Sequence, residues 1–140
     1  MRVESIWKKW VLLGLGLGLI GELVITSAAA GEIYVIAHPS VNLTEDEVKA
    51  VYLGEKQFAG TVKLVPVDNA SVQSDFLERV ISMRADKYAA LWVKKGFRGD
   101  ATAPATKSGD AEVIKFVKST AGAIGYVSSP VKGVKELHQY

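Results

Sequence analysis

From Glu32 onward the chain switches repeatedly between two hydrophobic rhythms, and that switching limits its fold more than any other feature. Glu32-Ile33-Tyr34-Val35-Ile36-Ala37 is a short apolar run ending at Pro39, the pattern of a buried strand. The next segment follows the helical period. Thr44 serves as N-cap, Glu47 three residues later as its capping-box partner, and Leu43 with Val48 as a hydrophobic staple. Val48, Val51 and Tyr52 form the apolar stripe, and Gly54 stops the helix. Thr61 to Val67 alternates as a second strand. Asp68-Asn69-Ala70 then turns into a helix with Val72, Phe76, Val80 and Ile81 on one face, capped by Ser71 or Asn69, with Asp75 in its first turn. Another helix begins near Arg84, carries Tyr88, Leu91 and Trp92, and stops at Gly96. Phe97 to Lys107 is a loop rich in Gly, Pro, Thr and Ala. Ser108 opens a helix bearing Val113, Ile114 and Val117, Ala123 to Val127 is a strand, and Val134 to His138 a last one. Strands alternating with helices predict a three-layer α/β domain, a mixed sheet flanked by helices.

Residues 1–30 follow neither rhythm. Arg2, Lys8 and Lys9 precede an apolar tract from Trp10 to Gly21, and Ser27-Ala28-Ala29-Ala30-Gly31 closes the segment. A basic start, a short apolar stretch and small residues at the end describe a secretory signal peptide, with cleavage expected after Ala30. A retained membrane anchor is the rival, but it would bury Glu22 in the bilayer at a cost of a few kcal/mol. The expected organisation is therefore a signal peptide over 1–30 and one domain over 31–140, with no membrane anchor after cleavage. Gly16-Leu17-Gly18-Leu19-Ile20-Gly21 matches a dinucleotide-binding pattern, but no strand precedes it and no βαβ unit surrounds it. Gly14 and Gly18 form a GxxxG pair that matters only in a retained helix.

Charge and reactive residues narrow the function classes. The chain has 17 basic and 15 acidic residues, a net charge of +2, and no basic block of the kind that binds nucleic acid. It has no cysteine, which excludes disulfides, cysteine–zinc and iron–sulfur sites, thiol nucleophiles and a lipid-modified N-terminal cysteine. His38 and His138 are the only histidines, too isolated for a metal site or a catalytic dyad. No serine lies in a GxSxG turn, and Glu45, Asp46 and Glu47 suit the helix dipole better than acid–base work. Arg98-Gly99-Asp100 and the glycosylation sequons at Asn42 and Asn69 are short patterns that turns explain equally well. Trp92 and Phe97 have the spacing of core aromatics. Neither an enzyme, a cofactor nor a metal is expected.

Four segments, in order, resemble the periplasmic solute-binding proteins of phosphate ABC importers. They are Leu43-Thr44…Val51-Tyr52-Leu53-Gly54, Lys63-Leu64-Val65-Pro66-Val67-Asp68, Trp92…Phe97-Arg98-Gly99 and Ala123-Ile124-Gly125-Tyr126-Val127, the last being the most specific. The resemblance implies a periplasmic-binding-protein-like single lobe, because full-length members have two lobes with the anion clamped between them. It also implies a phosphate-reading stretch before a helix. Laid onto Val67-Asp68-Asn69-Ala70-Ser71-Val72-Gln73-Ser74, that stretch places the family's arginine on Val67 and its aspartate on Asn69. Only Ser71 matches outright, and Ser74 replaces a threonine.

Asn69, Ser71 and Ser74 are therefore the candidate anion ligands, at a helix start where free N–H groups and the dipole favour negative charge. Arg98 and Lys107 in the flanking loop are the candidate charge donors. The expected function is a small periplasmic domain binding phosphate or another small oxyanion weakly. The alternative is an adaptor that has lost its ligand and meets an envelope protein partner. Intact-mass analysis of exported protein should give a chain beginning at Gly31; a mass retaining Met1 would contradict the signal peptide.

Overall fold

The computed structural model describes residues 31–140; the candidate signal peptide with its two glycine patterns lies outside them. Glu32–Tyr140 forms one compact unit. Strand β1 (Tyr34–Ala37) leads to helix α1 (Glu45–Tyr52), followed by a small hairpin of β2 (Phe58–Ala59) and β3 (Val62–Lys63). Strand β4 (Val65–Asn69) precedes α2, which winds as α-helix over Gln73–Phe76 and as a π-helical turn over Leu77–Ile81. Helix α3 (Ala85–Arg98), strand β5 (Ala105–Lys107), helix α4 (Asp110–Ser119) and strands β6 (Ala123–Val127) and β7 (Lys135–Gln139) complete the unit.

Five strands form one mixed sheet in the order β5-β4-β6-β1-β7. β4 runs parallel to β5 and β6, whereas β1 is antiparallel to β6 and β7. Every residue of β1 and β6 is buried, so alternate side chains serve opposite faces. Val35, Ala37, Ile124 and Tyr126 face α1, α2 and α3, packing on Val51, Tyr52, Phe76, Leu77, Tyr88 and Trp92. Tyr34, Ile36, Val67, Ala123 and Val127 face the other way, against Val113 and Val117 of α4. The result is the α/β architecture the alternating rhythms predict: a mixed sheet with helices on both faces.

Several boundaries differ from expectation. The run Thr61–Val67 is two strands, because Leu64 turns into the core and its N–H bonds Gln57 O at 2.9 Å, closing the hairpin around Gly60 (φ +61°). Helix α3 passes through Gly96 and stops at Gly99, whose φ of +70° lets its N–H reach the carbonyls of Gly96 and Lys95. Neither Ser71 nor Asn69 caps α2; Val72 stands at that position without a side-chain cap. α4 starts at Asp110 after Gly109, and Ser108 instead donates its N–H to Glu112 Oε2 at 3.1 Å. Thr44 does cap α1, its Oγ1 accepting from Glu47 N at 3.3 Å, while the Glu47 carboxylate turns towards Lys56 at 3.9 Å. Leu43 and Val48 are both buried, as a staple requires.

Gly125 explains the most specific family-like motif. A Cβ there would lie 2.6 Å from Val113 Cγ1 and 3.3 Å from Val67 Cγ2, so α4 sits against bare backbone. Gly125→Ala should lower stability by about 1–3 kcal/mol through overpacking, read as a lower urea midpoint with unchanged slope. An unchanged midpoint would show that α4 shifts freely.

Candidate functional site

The carboxyl ends of β5, β4 and β6 lie side by side, and α2 leaves β4 towards one face while α4 leaves β5 towards the other. Open α/β sheets receive ligands at such a position. Asn69 ends β4 and is fully buried. Its Nδ2 donates to Asp110 Oδ1 at 2.7 Å and to the Tyr126 carbonyl at 3.0 Å. Its Oδ1 accepts from the N–H of Ser71 at 3.1 Å and from the Ser71 hydroxyl at 2.6 Å. Asp110 opens α4, where the helix dipole favours a carboxylate. Its Oδ2 accepts from Ser128 N at 3.1 Å and Ser128 Oγ at 2.6 Å. The donors gathered at this end of the sheet thus converge on a carboxylate of the chain itself.

Asp68, one residue earlier, points to the opposite face and is 2% exposed. Oδ2 accepts from the Tyr88 hydroxyl at 3.0 Å and Oδ1 from the Tyr126 hydroxyl at 2.9 Å, with Gln73 contributing a further side-chain bond. Burial raises its pKa above the ordinary 3.8, and these hydrogen bonds only partly oppose the shift. Burial and the nearby carboxylate push both tyrosine hydroxyls upward in turn. Aromatic packing holds the group in place: Tyr126 stacks on Phe76 at 3.7 Å between centroids, with Tyr52 edge-on to both. The Tyr52 hydroxyl donates to Val67 O at 2.9 Å.

The expected ligands separate into two groups. Asn69 and Ser71 are brought together, but they bond each other. Ser74 is exposed in the first turn of α2 and lines a shallow depression of about 260 Å³ with Glu78, Arg84, Ala85 and Asp86. Arg98 lies at the opposite end of α3 from Ala85, roughly 20 Å along a helix of this length, and is not part of the group. The cation beside Ser74 is Arg84, whose Nε stands 3.4 Å from Asp86 Oδ1 with both side chains exposed. Lys107 is drawn over the Phe116 ring, its Nζ 4.6 Å from the centroid.

Val67, the position on which the family's arginine falls, is 1% exposed against α4, so a guanidinium there would be buried without a partner. His38 pairs with Ser40 at 2.8 Å, and His138 Nε2 lies 3.0 Å from the Leu43 carbonyl. Trp92 is a core residue whose Nε1 donates to Tyr52 O at 3.2 Å. Phe97 is not, being 93% exposed. Asp110 and Ser128 escape sequence reasoning because nothing local couples them to Asn69, 41 positions from one and 59 from the other. Arg84 had a weak signal, as the basic residue directly before the α3 pattern.

The buried Asp68 has a pH consequence. A carboxyl whose folded pKa is raised favours the native state most when protonated, and that advantage fades as pH rises from 3.8 through the folded value. In urea melts across this range, Asp68→Asn should gain stability relative to the unsubstituted protein as pH rises. A difference independent of pH would mean that the native pKa is unshifted.

No family model matches the chain, and no curated protein does. Among solved structures, it is similar to a protein of Clostridium perfringens assigned as a phosphate ABC transporter substrate-binding protein and holding bound phosphate. That match has TM-score 0.56 and 18% identity, and covers 76% of this chain and 45% of that one. It is also similar to PstS from Borrelia burgdorferi, with TM-score 0.50, 19% identity, and coverage of 76% of this chain and 47% of that one. The chain spans less than half the length of these proteins. At such identities the likeness is one of fold: an α/β unit compatible with a single lobe of a periplasmic binding protein.

Proposed function

We propose that the chain is a small exported, non-enzymatic binding-protein-like domain of the periplasm that takes phosphate or another small oxyanion weakly. The fold likeness to a protein that holds bound phosphate supports the ligand class. The weakness rests on one observation: the Asp110 carboxylate already accepts the Asn69 amide and both Ser128 donors. An incoming anion must either displace that carboxylate or sit beside its charge. What remains for it is the Ser74 hydroxyl, N–H groups at the start of α2, and Arg84, an exposed side chain already near Asp86, since the Ser71 hydroxyl already donates to Asn69. A bidentate guanidinium is what makes phosphate sites strong, and solvent weakens an exposed one.

The same observation favours a second reading. A lobe whose ligand position is filled by its own carboxylate can persist as an adaptor for an envelope protein, with its shape preserved and its ligand lost. Calorimetric titration with phosphate and sulfate separates the two. The unsubstituted protein should bind phosphate no tighter than about millimolar, near 4 kcal/mol. Asp110→Asn keeps an acceptor while removing the charge, and should tighten binding by roughly tenfold, the scale of one like-charge contact at a partly buried site. Micromolar binding by the unsubstituted protein would overturn the weak-site proposal. No heat from either protein, with melting temperatures showing both folded, would leave the adaptor.

A further inference from the structure

The opposite end of the sheet is built differently. β5 begins opposite Val67, so the edge of β4 at Val65 and Pro66 has no strand beside it. Pro66 carries no N–H, and this uncovered edge therefore loses one donor that water would otherwise have to satisfy. The approach to β5 is Ala101-Thr102-Ala103-Pro104, whose small side chains do not fill the space. A cavity of about 500 Å³ results, walled by Leu64, Pro66, Trp92 and Phe116. Its volume falls in the range of small-molecule sites, which are mostly apolar with a few placed polar groups.

Beside the neutral Gln57 and Thr102, the polar lining supplies two cations. Lys56 and Lys63 line the cavity, and the Lys95 stem lies over Gly54, another lining residue, within 3.1 Å of where a Cβ would stand. Lys56 is partly offset by Glu47 at 3.9 Å. The floor is pinned from two sides: Trp92 bonds Tyr52 O, and Gln57 Nε2 donates to Asp100 O at 3.2 Å, tying the hairpin to the loop. An apolar chamber with ammonium groups at its rim suits a ligand with an apolar body and one negative charge. It does not suit a bare, strongly hydrated phosphate.

We infer that the cavity between the β2–β3 hairpin, Trp92 and the 101–105 loop binds a small amphipathic carboxylate, its apolar body against Trp92 and Phe116 and its carboxylate at Lys63. This site is separate from the Asn69–Asp110 end of the sheet. Residues 31–140 contain a single tryptophan, Trp92, so its emission reports directly on the cavity wall. A chain beginning at Gly31, which holds the whole compact unit, is titrated with sodium decanoate, followed by Trp92 fluorescence and calorimetry. A saturable response is expected, with decanol and decyltrimethylammonium at least tenfold weaker. Lys63→Glu should weaken decanoate by roughly tenfold, since a like charge now faces the ligand. Ala103→Phe, which sets a ring at the cavity wall, should weaken binding at least tenfold in a protein with an unchanged melting temperature. Excess inorganic phosphate should leave decanoate binding unaltered, whatever the outcome at the other end. No saturable response to decanoate, equal binding of the cationic analogue, or undiminished binding by either variant would overturn the assignment.

Discussion

The side-chain amide of Asn69 holds together the end of the sheet where a ligand would be expected. Its two donors and its carbonyl join β4 to the first residue of α4, to the backbone of β6 and to the turn that starts α2. Three elements distant in sequence therefore meet at one fully buried polar group. An unsatisfied amide at that depth would cost about 1–3 kcal/mol, so each bond helps to specify how the strand ends relative to α4. Asp110 is the necessary complement. Without a carboxylate at the start of α4, one Asn69 proton and both Ser128 donors would need another acceptor.

This arrangement separates what the family-like motifs preserve from what they omit. Ile124 belongs to the core on the α1–α3 face, Gly125 admits α4, and Tyr126 bonds the buried Asp68 with its hydroxyl and Asn69 with its carbonyl. Every residue of that motif is explained by packing or by hydrogen bonds inside the lobe. Trp92 and Tyr52 likewise bond each other and line the core. These motifs thus carry the architecture of the α/β unit. The Ser71 and Ser74 positions that point to an anion are the exposed ones, where the fold exerts little constraint.

What the sequence disclosed follows the same division. Periodicity located β1, α1, α3, α4 and β6, because each buries a continuous stripe or run that a local window can register. The end of α3 was missed by three residues, since Gly96 and Gly99 are equally plausible stops and only the backbone angle at Gly99 decides between them. β5 escaped because a three-residue edge strand of Ala, Thr and Lys has no apolar pattern; it exists only through pairing with β4. In the candidate site, Asn69 and Ser71 are legible only as residues at a helix start; that they bond each other is a tertiary fact. Nearness in sequence puts Arg98 beside the loop, whereas the length of α3 carries it away from Ser74. Asp110 and Ser128 were invisible because their meaning lies in a contact between separate helices and strands.

The two ends of the sheet also differ in how their physics is resolved. At the carboxyl end, polar groups saturate one another, so any external anion competes with an internal one already oriented by three hydrogen bonds, one from Asn69 and two from Ser128, and by the α4 dipole. At the amino end, an apolar volume is left unfilled by Ala101, Ala103 and Pro104 and bordered by lysines. Empty apolar space forfeits dispersion contacts, and close packing would normally remove it with a larger side chain. A fold that satisfies its polar end so fully yet leaves this chamber open places its unused binding capacity at the amino end. That is the end opposite the Asn69–Asp110 cluster.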